Sequence, residues 1–257
     1  MTAAMREWVY PPVIRVALTL FRVLGIRFDL RGVDRVPAEG GAVLASTHVS
    51  YLDFMFVGLT AWRHDRRLVR FMAKQAVFDH PFSGPLMRGM HHIPVDRSAG
   101  AAAYRHALEA LRRGELIGVF PEQTISRSFL PRTMKSGAAR LAIEAGVPLV
   151  PVVTWGGQRV WTVGRRPVFR RRVAVSIRVD QPLLPRDGET AAELTERLGT
   201  RLRALVDDVL ADYPDVPKSG EEWWLPAHLG GSAPTPEQAA AAEKLSIAGR
   251  ARDGRRQ

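Results

Sequence analysis

The sequence predicts an α/β fold: a single domain with a predominantly parallel or mixed central sheet flanked by helices, preceded by an N-terminal interfacial helix. Three observations point there. Short apolar runs such as Val43-Leu44-Ala45 and Leu116–Phe120 read as buried strands. Segments with apolar residues three and four apart, such as Leu194, Leu198, Leu202, Leu205 and Val209, read as helices packed along one stripe. The two kinds alternate along the chain, which is the pattern of a parallel sheet with covered faces.

The elements follow in order. Trp8 to Phe28 reads as an amphipathic helix: Arg15, Thr19 and Arg22 share one face, and Val13, Ile14, Leu18, Leu20, Phe21 and Leu24 cover the rest. Its charge-free run, Val16 to Phe21, is too short to cross a bilayer, while Trp8 and Tyr10 suit the headgroup level. The expectation is a helix lying in the membrane interface; the alternative is an ordinary helix packed on the domain. Ala42 to Ser46 reads as a strand, Tyr51 to Trp62 as a helix and Leu68 to Ala73 as a strand. His91 to Asp96 reads as extended. Ser98 to Arg113 is a helix, with Ser98 as N-cap and Gly114 just past its end. Leu116 to Phe120 is a strand, Ser136 to Ala145 a helix stopped by Gly146, and Val147 to Thr154 a strand. Val173, Val175, Ile177 and Val179 alternate strictly, predicting a half-exposed strand. Thr190 to Ala211 is a long helix. Beyond Tyr213 five prolines break regular structure. The organisation expected is therefore 1–28 a membrane-interface segment, 29–213 a catalytic domain, and 214–257 a Pro/Ala-rich tail, partly disordered.

Composition narrows the chemistry. The 257 residues and 46% hydrophobic content support a real core. Cysteine is absent, which excludes disulfides, thiolate metal sites and a cysteine nucleophile. No secretory signal is evident. A net charge of +11 favours phosphate-bearing partners, either nucleic acid or anionic lipid. The densest basic stretch runs from Gly164 to Arg172.

His48 and Asp53 carry the candidate chemistry. His48 follows the strand Ala42–Ser46, and Asp53 falls at the start of the next helix. Five helical residues rise only about 7.5 Å, so a histidine in the preceding turn can fold back onto Asp53. A carboxylate on one ring nitrogen fixes the tautomer and leaves the other nitrogen free to take a proton. The alternative is a helix-capping pair. His91 and Asp96 repeat the spacing, but an extended chain spans roughly 17 Å over five residues, beyond hydrogen-bond reach. No Gly-x-Ser-x-Gly elbow occurs, so the nucleophile such a base would activate is a hydroxyl on a bound substrate. Glu122 follows the strand Leu116–Phe120, at the strand end where α/β sheets bind ligands. Arg97, Arg127, Arg132 and Lys135 add cations suited to phosphate.

Four blocks together resemble the glycerolipid acyltransferases, in particular the 1-acylglycerol-3-phosphate acyltransferases. They are His48–Asp53 in an H-x-x-x-x-D pattern, Gly89–Arg97, Phe120-Pro121-Glu122-Gln123-Thr124-Ile125-Ser126, and Val147-Pro148-Leu149-Val150-Pro151-Val152. The resemblance implies transfer of a fatty acyl group from acyl-CoA or acyl-carrier protein to a lysophospholipid hydroxyl, giving phosphatidic acid or a close relative. It implies His48 as base and Asp53 as its orienting partner, with Arg97, Glu122 and Thr124 binding the acceptor, and neither cofactor nor metal. It places the protein at the cytoplasmic face of the cell membrane, peripheral or monotopic, with no nucleic-acid partner. Two positions depart from the pattern. Gln123 replaces a glycine, and Ile125 stands where a phosphate-binding arginine is common. Arg127 or Lys135 then supplies that charge, or the acceptor is another lysophospholipid or alcohol. A basic nucleic-acid-binding protein, using the arginines at 165–172, is the reading from a different class.

Overall fold

The computed structural model describes residues 7–96, 100–168 and 171–253, with side chains as far as residue 245. Its centre is one seven-stranded sheet. The strands are β1 (Arg27–Arg31), β2 (Ala42–Ser46), β3 (Val69–Lys74), β4 (Ile93–Val95), β5 (Leu116–Val119), β6 (Leu149–Trp155) and β7 (Ala174–Val179). Their order across the sheet is β1-β7-β6-β2-β5-β3-β4. Neighbours are parallel except β6 and β7, so the sheet is mixed, as the alternation of elements predicts.

Helices cover both faces. On one side α1 (Tyr10–Val23) and α2 (Asp53–Asp65) bury Phe21, Phe56 and Val57 against Leu44, Val69, Phe71, Val150 and Ile177. On the other, α5 (Gly100–Arg112), α6 (Gly137–Ala145) and α7 (Ala191–Asp212) bury Leu108, Leu111, Leu141, Leu194, Leu198 and Leu202 against Val43, Ala45, Ile117 and Val153. The leucine stripe read in α7 is the stripe that packs. α7 starts from a capping box in which Thr190 and Glu193 satisfy each other's backbone N–H, and α6 stops at Gly146, whose φ of 65° suits a residue without Cβ.

The structure corrects several readings. β7 is buried on both faces rather than half exposed: it lies between β1 and β6, and Ser176 and Arg178 are enclosed along with the valines. Arg178 is tolerated there because Asp29 on β1 accepts its Nη2 at 2.6 Å. β1 itself has no apolar run. As an edge strand it turns Phe28 and Leu30 inward and presents charges outward, so a boundary at residue 28 would cut through it. The stretch between β3 and β4 folds into two short helices, α3 (Gln75–Asp79) and α4 (Ser83–Gly89). The segment after Tyr213 packs back on the domain, with Trp224 only 1% exposed; it ends in α8 (Pro236–Asp253). Arg159 lies over the Trp224 ring at 4.5 Å, and Arg165 over the Trp223 ring at 3.9 Å. Prolines shape this segment without preventing its burial. Ser98, the expected N-cap, lies outside the described residues.

α1 spans the domain edge with two different sides. Tyr10 and Phe21 point inward, while Val16, Leu20 and Val23 are exposed beside Arg15 and Arg22. Among the described residues, no helix is long and apolar enough to cross a membrane.

Candidate active site

The carboxyl end of β2 delivers His48, and α2 begins with Asp53. Asp53 is fully buried and accepts four hydrogen bonds. Its Oδ2 takes the N–H groups of Val49 and Ser50, each at 2.7 Å, and His48 Nδ1 at 3.0 Å; its Oδ1 takes the Thr154 hydroxyl at 2.8 Å. A carboxylate can only accept, so Nδ1 carries the imidazole proton and Nε2 is left as the basic nitrogen. The helix-capping alternative is not what is seen, since α2 makes no side-chain cap hydrogen bond; one carboxylate instead ties the backbone of the preceding turn and orients the imidazole. His48 stacks on Phe120 with ring centroids 4.2 Å apart, and 19% of its side chain remains exposed.

The turn between them is clamped from outside. Ser50 Oγ and Tyr51 N both donate to the Trp161 carbonyl, at 2.8 and 3.2 Å, and Thr162 Oγ1 donates to the Val49 carbonyl at 2.7 Å. Tyr51 and Trp161 pack ring to ring at 4.8 Å. The arrangement holds the imidazole on a rigid support rather than a loose loop.

Glu122 is brought to the same place. It lies just past β5, is 6% exposed, and its Oε1 accepts the His48 backbone N–H at 3.3 Å. Burial pushes its pKa up to about 8, outweighing that hydrogen bond and the Arg132 charge. The carboxyl is thus largely protonated near neutrality. Its Oε2 is buried without a partner, so the acid keeps an unused polar group next to the His48 backbone. The loop is tied down by Ser126 N to the His48 carbonyl at 2.7 Å and Lys135 N to the Pro121 carbonyl at 3.0 Å.

The other expected binding residues separate. Thr124 is half buried in the same loop. Arg127 is exposed and reaches toward Gly164. Lys135 is exposed just before α6. Arg97 lies outside the described residues. Ile125 is buried at 7% exposure, so its position offers no cation. Gln123 adopts φ 62°, the left-handed region that explains why a glycine suits this turn. In the basic stretch, Arg165 stacks on Trp223 and the Arg172 backbone bonds Leu24, so part of it serves the fold; Arg170 is outside the described residues. Thr154 and Phe120 were not singled out from sequence. The signal for both was available, since each lies at the carboxyl end of a buried strand.

An apolar groove of about 200 Å³ runs beside α2, between α1 and α4. Ile14, Leu18, Met55, Gly58, Trp62 and Met87 line it.

A mixed α/β sheet carries a carboxylate-oriented histidine at a strand end, an arrangement able to serve general-base chemistry. The chain belongs to the acyltransferase family, whose model matches residues 27–155, half of its length; it is an O-acyltransferase. It is 27% identical over 182 residues to the 1-acyl-sn-glycerol-3-phosphate acyltransferase of Bacillus subtilis, covering 67% of this chain and 84% of that protein. It is 31% identical over 166 residues to the protein of the same name from Limnanthes douglasii, covering 63% of this chain and 56% of that one. The crystal structure of the 1-acyl-sn-glycerophosphate (LPA) acyltransferase PlsC from Thermotoga maritima shares the fold, with a TM-score of 0.67 at 20% identity over 80% of this chain and 81% of that one.

Proposed function

We propose that this enzyme moves a fatty acyl group from a thioester donor, acyl-CoA or acyl-carrier protein, to the hydroxyl of 1-acylglycerol-3-phosphate, giving phosphatidic acid. The observation that carries the reading is the His48–Asp53 pair, with Nδ1 committed to the acid and Nε2 left basic. The names of the similar enzymes support the acceptor.

In this mechanism His48 Nε2 takes the proton of the acceptor hydroxyl as its oxygen attacks the thioester carbonyl. Asp53 stabilises the imidazolium that forms. Collapse of the tetrahedral intermediate breaks the C–S bond, and the departing thiolate takes the proton from Nε2. A thioester is already activated, so this path uses no cofactor, metal or covalent enzyme intermediate. General-base assistance of this kind contributes about 10²–10⁴ in rate. Glu122, protonated and with Oε2 unpartnered, is placed to donate a hydrogen bond to an acceptor oxygen. Thr124, Arg127, Lys135 and Arg97 complete the proposed acceptor set. The groove beside α2 begins one residue from Asp53 and suits an acyl chain.

The enzyme works from the membrane surface, peripherally and on the cytoplasmic face. α1 lies in the interface, its exposed Val16, Leu20 and Val23 entering the lipid and its arginines meeting the headgroups. The test is product formation from acyl-CoA and acyl-carrier protein with a panel of lysolipids. Turnover restricted to acceptors other than 1-acylglycerol-3-phosphate would overturn the assignment of substrate.

A further inference from the structure

A second cavity, of about 380 Å³, lies among α5, β4 and the α3–α4 pair. Strand register sets Arg70 level with Val43, five residues before His48. That is roughly 16 Å back toward the amino ends of the strands. Acyl transfer as drawn above makes no use of it.

Its described lining is rich in donors and poor in acceptors. Arg70, Arg88 and Arg113 contribute guanidinium groups, against Glu115 in the lining and Glu7, which pairs with Arg70 from beside it, so the formal balance of these five is 3 − 2 = +1. Glu115 is already engaged: Arg70 Nε donates to Oε2 at 3.0 Å, and Arg113 donates to Oε1 through Nε and Nη2 at 3.0 and 2.8 Å. The other Arg70 nitrogens serve the Met90 carbonyl and Glu7. Arg88 spends Nη1 on the Phe78 carbonyl at 2.7 Å. Further donors on Arg88, and Nη1 of Arg113, have no protein acceptor among the described residues.

The histidines add to this imbalance. His92 accepts the Phe71 N–H at Nδ1, so its proton sits on Nε2, which is buried without a partner. Burial, with the Arg70 charge, holds its pKa down to about 3 and keeps the ring neutral. His91 and His106 line the cavity with exposed side chains, and His91 is held at φ 55°, an uncommon backbone state for a residue with a Cβ.

We propose that this cavity binds a phosphate group, from either a soluble phosphate ester or the headgroup of an anionic lipid. Phosphate is acceptor-only when ionised and matches a wall of forked guanidinium donors. For the lipid source, Phe82, just before the helix that carries Arg88, is an exposed ring able to rest on a bilayer.

The test uses the full chain at constant ionic strength. Inorganic phosphate and glycerol phosphate are titrated by calorimetry, and vesicles of neutral lipid with or without phosphatidylglycerol by sedimentation. The variant is Arg113→Gln with His106→Gln, both exposed side chains whose loss leaves the buried Arg70 ion pair in place; Arg203→Gln is the surface-charge control. Saturable phosphate binding, weakened about tenfold or more in the double variant and unchanged in the control, supports the site. A loss confined to soluble phosphates identifies an ester, and a loss of phosphatidylglycerol-dependent sedimentation identifies a headgroup. Absence of saturable binding to any probe, or an equal loss in the control, overturns it.

Discussion

Asp53 Oδ2 accepts His48 Nδ1 at 3.0 Å with the same oxygen that accepts the Val49 and Ser50 N–H groups. Orientation of the ring and local folding thus share one atom, and the two residues should respond differently to mutation. His48→Ala removes a partly exposed ring, so kcat should fall about 10²–10⁴-fold with little change in Tm. Asp53→Ala strands two backbone N–H groups and the Thr154 hydroxyl in a buried site. It should cost a similar factor in kcat and also several kcal/mol of stability, at about 1–3 kcal/mol per unsatisfied donor. Steady-state kinetics and thermal unfolding of both variants check this; equal Tm losses would contradict it.

Thr154 Oγ1 holds the other oxygen of Asp53 at 2.8 Å. Thr154→Val keeps the shape and deletes that bond. The expected loss is about 1–2 kcal/mol in transition-state stabilisation, roughly tenfold in kcat, with KM unchanged. A rise in KM at constant kcat would assign Thr154 to substrate binding instead.

Glu122 makes stability depend on pH. Its pKa is raised by burial to about 8 in the folded state and is ordinary when unfolded. Between the ordinary carboxylate range and pH 8 the folded protein binds the extra proton. Its stabilising contribution is therefore complete at low pH, declines as pH rises through that window, and levels off above it. Glu122→Gln should flatten this decline in denaturant midpoints measured from pH 5 to 9. An unchanged slope would show that the group is ionised in the fold.

Gly58 lies in the wall of the apolar groove, and a Cβ added there meets Phe71 and Tyr10 only at van der Waals distance, 3.8 and 3.9 Å. Gly58→Ala should be tolerated and stabilise α2 by about 0.5–1 kcal/mol. Gly58→Leu should fill the groove and shift donor preference toward shorter acyl chains. A donor series of increasing chain length reads the shift; an unchanged profile would remove the groove from acyl binding.

The two sides of α1 predict opposite phenotypes. Val16→Ser with Leu20→Ser should weaken vesicle binding while leaving Tm in place. Phe21→Ala, which removes a ring packed against Phe28 and Phe56, should cost about 3–5 kcal/mol. Full sedimentation of the double variant with vesicles would show that α1 is not the membrane contact.

Legibility in the sequence followed locality and burial. β2, β5 and β6 were readable because central strands covered on both faces are unbroken apolar runs. β1 was not, because an edge strand alternates Arg27, Asp29 and Arg31 with only two core residues. β7 misled in the opposite direction: Ser176 and Arg178 look solvated, and only the neighbouring Asp29 makes burial of the arginine tolerable. The His48–Asp53 pair was readable because both ends lie in one turn. Thr154 joins that pair from 101 residues away, through a sheet register that no local pattern encodes. The loop after β5 showed its cations but not their destinations: Arg127 extends toward Gly164, while Arg132 pairs with Glu243 on α8.

That last pairing, with Trp223 against Phe129 and Arg165, fastens the segment after Tyr213 to both loops that flank the imidazole. Parts of the chain far apart in sequence thereby share one fate: slackening that segment would slacken both loops together, while the central sheet keeps its own packing.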